Sequence, residues 1–88
     1  MVKVQLTANL QKYYPRAQFE MEASTVLELL RKMDQVRANF SSYILEDDNS
    51  VRRHVNIFVN NELIKKTDTN RKLVNGNTVH IMQALSGG

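Results

Sequence analysis

The chain has 88 residues, no cysteine and a formal net charge of +3. That length allows one domain burying about 60–65% of its unfolded surface, without room for a deep enclosed catalytic cleft. The missing cysteines exclude disulfides, thiolate metal sites and cysteine nucleophiles, and no apolar run nears the roughly 20 residues of a membrane span.

In chain order, "VKVQLTANL" alternates: Val2, Val4 and Leu6 point one way and Lys3, Gln5 and Thr7 the other. A period of two predicts a strand, and an alternating N-terminus is unlike a signal peptide, so a cytoplasmic protein is expected. "YYPR" is a predicted turn around Pro15. "AQFEME" alternates again, with Phe19 and Met21 inward and Glu20 and Glu22 outward, completing a hairpin. In "ASTVLELLRKMDQV", Thr25-x-x-Glu28 fits a capping box, and Val26, Leu29, Leu30 and Met33 recur at helical spacing. Glu28 is spaced to pair with Lys32. From Arg37 to Arg53 the pattern is irregular, with Phe40, Ile44 and Leu45 as core anchors and "EDDNS" as a loop.

"RRHVNIFVNNELI" carries the clearest sheet signal. Val55, Ile57 and Val59 alternate with Asn56 and Phe58, and Asn60-Asn61 supplies two residues tolerant of positive φ. Glu62 to Ile64 returns as a short strand. "TDTNRKLVNGN" is mostly turn, with Leu73 inward and Gly76 in a tight turn. "TVHIMQA" is the last strand, with Val79 and Ile81 facing the core. This order predicts a two-layer α+β fold, one main helix on a mixed sheet of four to five strands. It suits a β-grasp arrangement, in which the first and last strands lie side by side in the centre.

Several groups invite chemistry. Arg52-Arg53, Lys65-Lys66 and Arg71-Lys72 are basic pairs that read either as solvated surface or as attraction for nucleic acid or an acidic protein. His54 and His80 lie on different strands without a carboxylate or cysteine at ligand spacing. Asp47 and Asp48 are adjacent in a loop and lack the separation of an acid and base pair. Ser86 has no base near it. Tyr13-Tyr14 beside Arg16 reads either as a stacking platform for single strands or as one ring packed and one half exposed. If Val55, Ile57 and Val59 face the helix, then Phe58, His80 and Met82 face away. With Leu85 they form an apolar patch rimmed by charge, a common mark of an interface.

"HVNIFVNNELI", followed by "NGNTVHIMQALSGG" with its closing Gly87-Gly88, resembles the ubiquitin-like small sulfur carriers of the MoaD/ThiS type. The likeness runs over nearly the whole chain, and the cysteine-synthesis carriers are nearest in pattern. Two features depart from the family: Gln83 stands where a proline often precedes the tail, and the hairpin reads "VNN" rather than "VNG" or "VND". The resemblance implies a β-grasp domain over residues 1–84 and a flexible tail over 85–88 (Leu85, Ser86, Gly87 and Gly88). It implies a protein that is not itself an enzyme and binds no cofactor, metal, nucleic acid or membrane. An E1-like adenylating enzyme would use ATP to activate Gly88, and a sulfur donor would convert it to a thiocarboxylate. A downstream sulfur-accepting enzyme of cysteine or molybdopterin type would take the sulfur. Phe58, His80 and Met82 become the expected partner-docking face. Glycine lacks a Cβ, so such a tail approaches a partner's backbone closely; extended, Leu85 to Gly88 reach roughly 13–14 Å. Two other readings share the sequence: a protein modifier conjugated through Gly88, and a β-grasp interaction module without terminal chemistry.

Overall fold

The strands β1 (Val2–Leu6) and β3 (Val55–Val59) share one burial pattern, in which three buried apolar residues alternate with two that are not. Between them lies β5 (Thr78–Gln83), parallel to β1 and antiparallel to β3. The structure, a computed structural model, describes residues 1–83. Register aligns the buried residues into rows: Leu6, Ile81 and Ile57 form one, and Val4, Val79 and Val59 another. β2 (Gln18–Met21) pairs antiparallel with β1, and β4 (Glu62–Leu63) with β3. The sheet order is β2-β1-β5-β3-β4. The first and last strands therefore occupy the centre, as the β-grasp expectation requires. The hairpin β3–β4 turns on Asn60 and Asn61, at φ 50° and 69°, a conformation Asn adopts more readily than most residues. Asn60 also locks this turn to β5: its N–H donates to the Thr78 carbonyl and its Oδ1 accepts from the Thr78 N–H, both at 2.8 Å.

One face of the sheet is covered by α2 (Val26–Val36), whose Val26, Leu29, Leu30 and Met33 are buried as predicted. Each such side chain contributes about 1.5–3 kcal/mol of transfer energy, set against the entropy of ordering it. The capping box forms with a shift. Thr25 Oγ1 accepts the Glu28 N–H at 3.0 Å, while Glu28 Oε1 reaches back to the Ser24 N–H at 2.7 Å rather than to that of Thr25. The predicted Glu28–Lys32 pair is not in contact: Lys32 Nζ donates to the Glu22 carbonyl at 2.7 Å. Two more donors at the start of α2 find carbonyls in the 69–73 loop, Val26 N–H at Arg71 and Leu27 N–H at Thr69. A stretch that reads as mere turn thus completes the helix start, and Leu73 and Gly76 (φ 92°) behave as predicted.

Two four-residue helices were not anticipated. The alternating "VKVQLTANL" ends as strand at Leu6, and α1 (Ala8–Gln11) follows, sinking Leu10 fully into the core. α3 (Ser41–Ile44) lies within the irregular segment. It is held to α2 by Asp34, whose two carboxylate oxygens accept the Ser41 N–H at 2.7 Å and hydroxyl at 2.6 Å. Phe40, Ile44 and Leu45 are all buried. Tyr14 is buried against Phe19 and Phe40, and Tyr13 stacks on Tyr43 at 4.3 Å.

Candidate functional site

Among the described residues, no helix covers the second face of the sheet. Because side chains alternate along a strand, every residue between the core positions points there. Register sets five of them in one row across the whole sheet: Gln18, Gln5, His80, Phe58 and Leu63. Phe58 and His80 are direct cross-strand partners, and Met82 stands opposite Asn56 on the same face. The structure therefore brings together Phe58, His80 and Met82, the three predicted docking residues within the described chain. Phe58 and His80 are half-buried and Met82 is 42% exposed.

Sequence reading missed Leu63, which is 53% exposed and extends the apolar row beyond Phe58. Its signal was available: a two-residue Asn60-Asn61 turn sets Val59 opposite Glu62 and Phe58 opposite Leu63. Charges edge this row. Lys3 and Glu20 are register partners on the same face, and Lys66 Nζ donates to Asn56 Oδ1 at 2.9 Å and to the Val55 carbonyl. Burial holds the Lys66 ammonium below its usual pKa of 10.5.

The other candidates are dispersed. Arg52 pairs with Glu46 at 2.9 Å and Arg71 with Glu62 at 2.6 Å, so each basic pair containing them has one partly neutralised member. His54 is exposed at the start of β3, away from the His80 row. Asp48 Oδ1 accepts the Ser50 hydroxyl at 2.6 Å and N–H at 3.0 Å, and these bonds hold its carboxyl below the usual range. Among the described residues, no group of three or more His, Asp or Glu is placed to hold a metal ion. Nor is any helix there long and apolar enough to cross a membrane. Tyr14 offers no free ring face, since it is buried and packed on two other rings.

The row crosses β5 at His80, and farther along the same strand Met82 stands next to the last residue, Gln83. Both backbone polar groups of Gln83 are held by side chains of Thr7, which sequence reading placed on the outward side of the first strand, and Asn9, to which it gave no role. Leu85, Ser86, Gly87 and Gly88, and the predicted domain boundary after residue 84, lie outside the described residues.

The family model that matches is that of the ThiS family, over residues 4–88. The chain belongs to the ThiS family. Solved structures agree on the fold. A chain of the Amycolatopsis orientalis BexX/CysO complex is 22% identical, with a TM-score of 0.88 and full coverage of both chains. CysO of Mycobacterium tuberculosis, described as an antigen, is 18% identical with a TM-score of 0.85, covering 97% of this chain and 100% of its own. The small archaeal modifier protein 1 (SAMP1) of Methanosarcina acetivorans is 23% identical with a TM-score of 0.80, covering 99% and 95%. No curated protein matches the chain significantly. At these identities the structural likeness speaks to the fold, while the family match extends to the Gly87-Gly88 ending.

Proposed function

We propose that this ThiS-family chain is a cytoplasmic sulfur carrier and acts as a co-substrate of enzymes rather than as an enzyme. The carboxylate of Gly88 attacks the α-phosphorus of ATP on an E1-like partner, and pyrophosphate leaves. Sulfide then attacks the acyl carbon, AMP leaves, and the product is a thiocarboxylate. A downstream biosynthetic enzyme, of the cysteine or molybdopterin type, accepts that sulfur. The observation that carries this reading is the family match to residues 4–88, which includes both closing glycines. The chemistry is consistent with it. A carboxylate is a poor electrophile until its oxygen is converted to a leaving group, and a chain without cysteine has no side-chain thiol to carry sulfur.

The outer sheet face serves as the docking surface for these partners, with Phe58, His80 and Met82 at its centre and Leu63 at its edge. What supports this is one partly apolar row that crosses β5 at His80, with Met82 next to the strand's end, edged by Lys3, Glu20 and Lys66. The similar chain solved in a complex with BexX gives the docking idea a precedent in a related fold.

Intact mass spectrometry of the protein, purified from its own host without a C-terminal tag, tests the proposal. The expected result is a species in which one oxygen is replaced by sulfur, located by fragmentation at Gly88. Deleting Gly88 is expected to abolish loading and leave the circular dichroism spectrum unchanged. Sulfur loading retained in that variant would overturn the proposal. The likeness to the archaeal modifier favours a second reading, conjugation through Gly88 to lysines of other proteins. Higher-mass conjugates in host extracts, lost on Gly88 deletion, would select it.

A further inference from the structure

β5 outruns β1. Leu6 stands opposite Ile81, yet β5 continues to Gln83. Evenly spaced bonds join a parallel pair: the Lys3 N–H donates to the Asn77 carbonyl at 2.9 Å and the Thr7 N–H to the Ile81 carbonyl at 3.2 Å. The next rung would carry the Gln83 N–H to the Thr7 carbonyl. That carbonyl is already engaged, because α1 begins there and the Leu10 N–H donates to it at 2.9 Å. Side chains replace the missing rung. Thr7 Oγ1 accepts the Gln83 N–H at 3.3 Å and donates to Asn9 Oδ1 at 2.9 Å. Asn9 Nδ2 donates to the Gln83 carbonyl at 2.7 Å. Threonine at an N-cap ordinarily bonds its own helix, but the Thr7 hydroxyl makes no such bond and serves β5 instead.

We infer that Thr7 and Asn9 are positioning residues that set the direction in which the chain leaves Gln83 and so guide Gly88 into the activating enzyme. The Gln83 carbonyl belongs to the peptide unit that begins the following segment. A peptide unit is planar, so holding its oxygen holds its heading. Backbone ordered before docking loses less freedom on docking, and that saving appears in apparent affinity. This inference rests on the carrier reading. It adds to that reading a device formed wholly by residues before the tail, on strands and a helix that chain order separates by more than seventy residues.

The test uses the full chain in four forms: wild type, Thr7→Val, Thr7→Ser and Asn9→Ala. Two quantities are measured on each. One is amide exchange at Gln83 by nuclear magnetic resonance, on the carrier alone. The other is the dependence of adenylation rate on carrier concentration, with ATP and the host's E1-like enzyme. Thr7→Val and Asn9→Ala are expected to speed Gln83 exchange and raise KM roughly 3- to 10-fold, the range of one neutral hydrogen bond. Their kcat is expected to stay near wild type, and Thr7→Ser, which keeps the hydroxyl, is expected to restore both readouts. Unchanged Gln83 exchange in Thr7→Val and Asn9→Ala overturns the clamp itself. Faster exchange with unchanged KM overturns its guiding role. A wild-type chain with a protected Gln83 amide that is never adenylated overturns the carrier reading, and the guiding role with it, while leaving the hydrogen-bonded clamp demonstrated.

Discussion

Ile81 and Met82 are consecutive residues of β5, and they belong to different sides of the molecule. Ile81 is fully buried between Leu6 and Ile57 on the helix-covered face, whereas Met82 is 42% exposed on the open one. The same alternation separates Val59 from Phe58 and Val79 from His80. What the contrast teaches is a division of labour set by the strand period. Every second residue is constrained by close packing, where a missing methylene is felt. The residues between them contact solvent and are free to be chosen for a partner. A small domain can therefore hold its fold with one face and offer the other for recognition.

This contrast can be broken most sharply at its centre. Ile81→Ala is expected to destabilise the protein by about 2–5 kcal/mol, read as a lower urea midpoint at unchanged slope. A loss under about 1 kcal/mol would mean that the helix-covered face is not the source of stability. Next in size is Thr25→Ala, at the start of the helix that roofs this face. Losing its bond to the Glu28 N–H is expected to lower stability by about 1 kcal/mol. Met82→Ser, one residue from Ile81, is expected to change stability by no more than about 0.5 kcal/mol. If the open face is the docking face, the same substitution raises the KM for the adenylating enzyme. A stable Met82→Ser variant with wild-type KM would remove Met82 from that surface.

The smallest effect is electrostatic. The Ser24 N–H, then the Ser24 hydroxyl and the Lys32 charge, hold the Glu28 carboxyl below its ordinary pKa of 4.5. A depressed carboxylate pKa gives stability that is present above the unfolded value and lost as pH falls through the folded value. The difference in thermal midpoint between wild type and Glu28→Ala should therefore shrink on acidification from neutral pH through about pH 4. A difference that stays constant across that range would mean that the Glu28 charge contributes nothing to this helix start.

Much of this was legible in the sequence, because the physics involved is local. Strand alternation identified Val2, Val4, Val55, Ile57, Val59, Val79 and Ile81 as core, and all are buried. Thr25-x-x-Glu28 marked the start of α2, and Asn60-Asn61 marked the hairpin turn. Each signal spans a few residues and follows from backbone sterics or the reach of one side chain. The misses were local only in appearance. "LTANL" continues the alternation of β1, but Leu10 gains full burial by turning inward, so tertiary packing overrides the period. Lys32 is spaced for Glu28, yet the Glu22 carbonyl captures its ammonium. The 69–73 loop gave no sign that its carbonyls would receive the first N–H groups of α2.

By itself the sequence determined which residues are apolar at which period, where one helix starts, where one hairpin turns, and membership of the ThiS family. Those are properties of neighbours in the chain, or of a pattern spread along it. Only the tertiary structure decided that Leu10 turns into the core, that carbonyls of the 69–73 loop meet the start of α2, and that Thr7 and Asn9 hold Gln83. Hydrogen bonds between such groups depend on distances of about 3 Å between atoms far apart in sequence. No spacing rule along the chain encodes them, because the strands must first be brought into register by the burial of their other face.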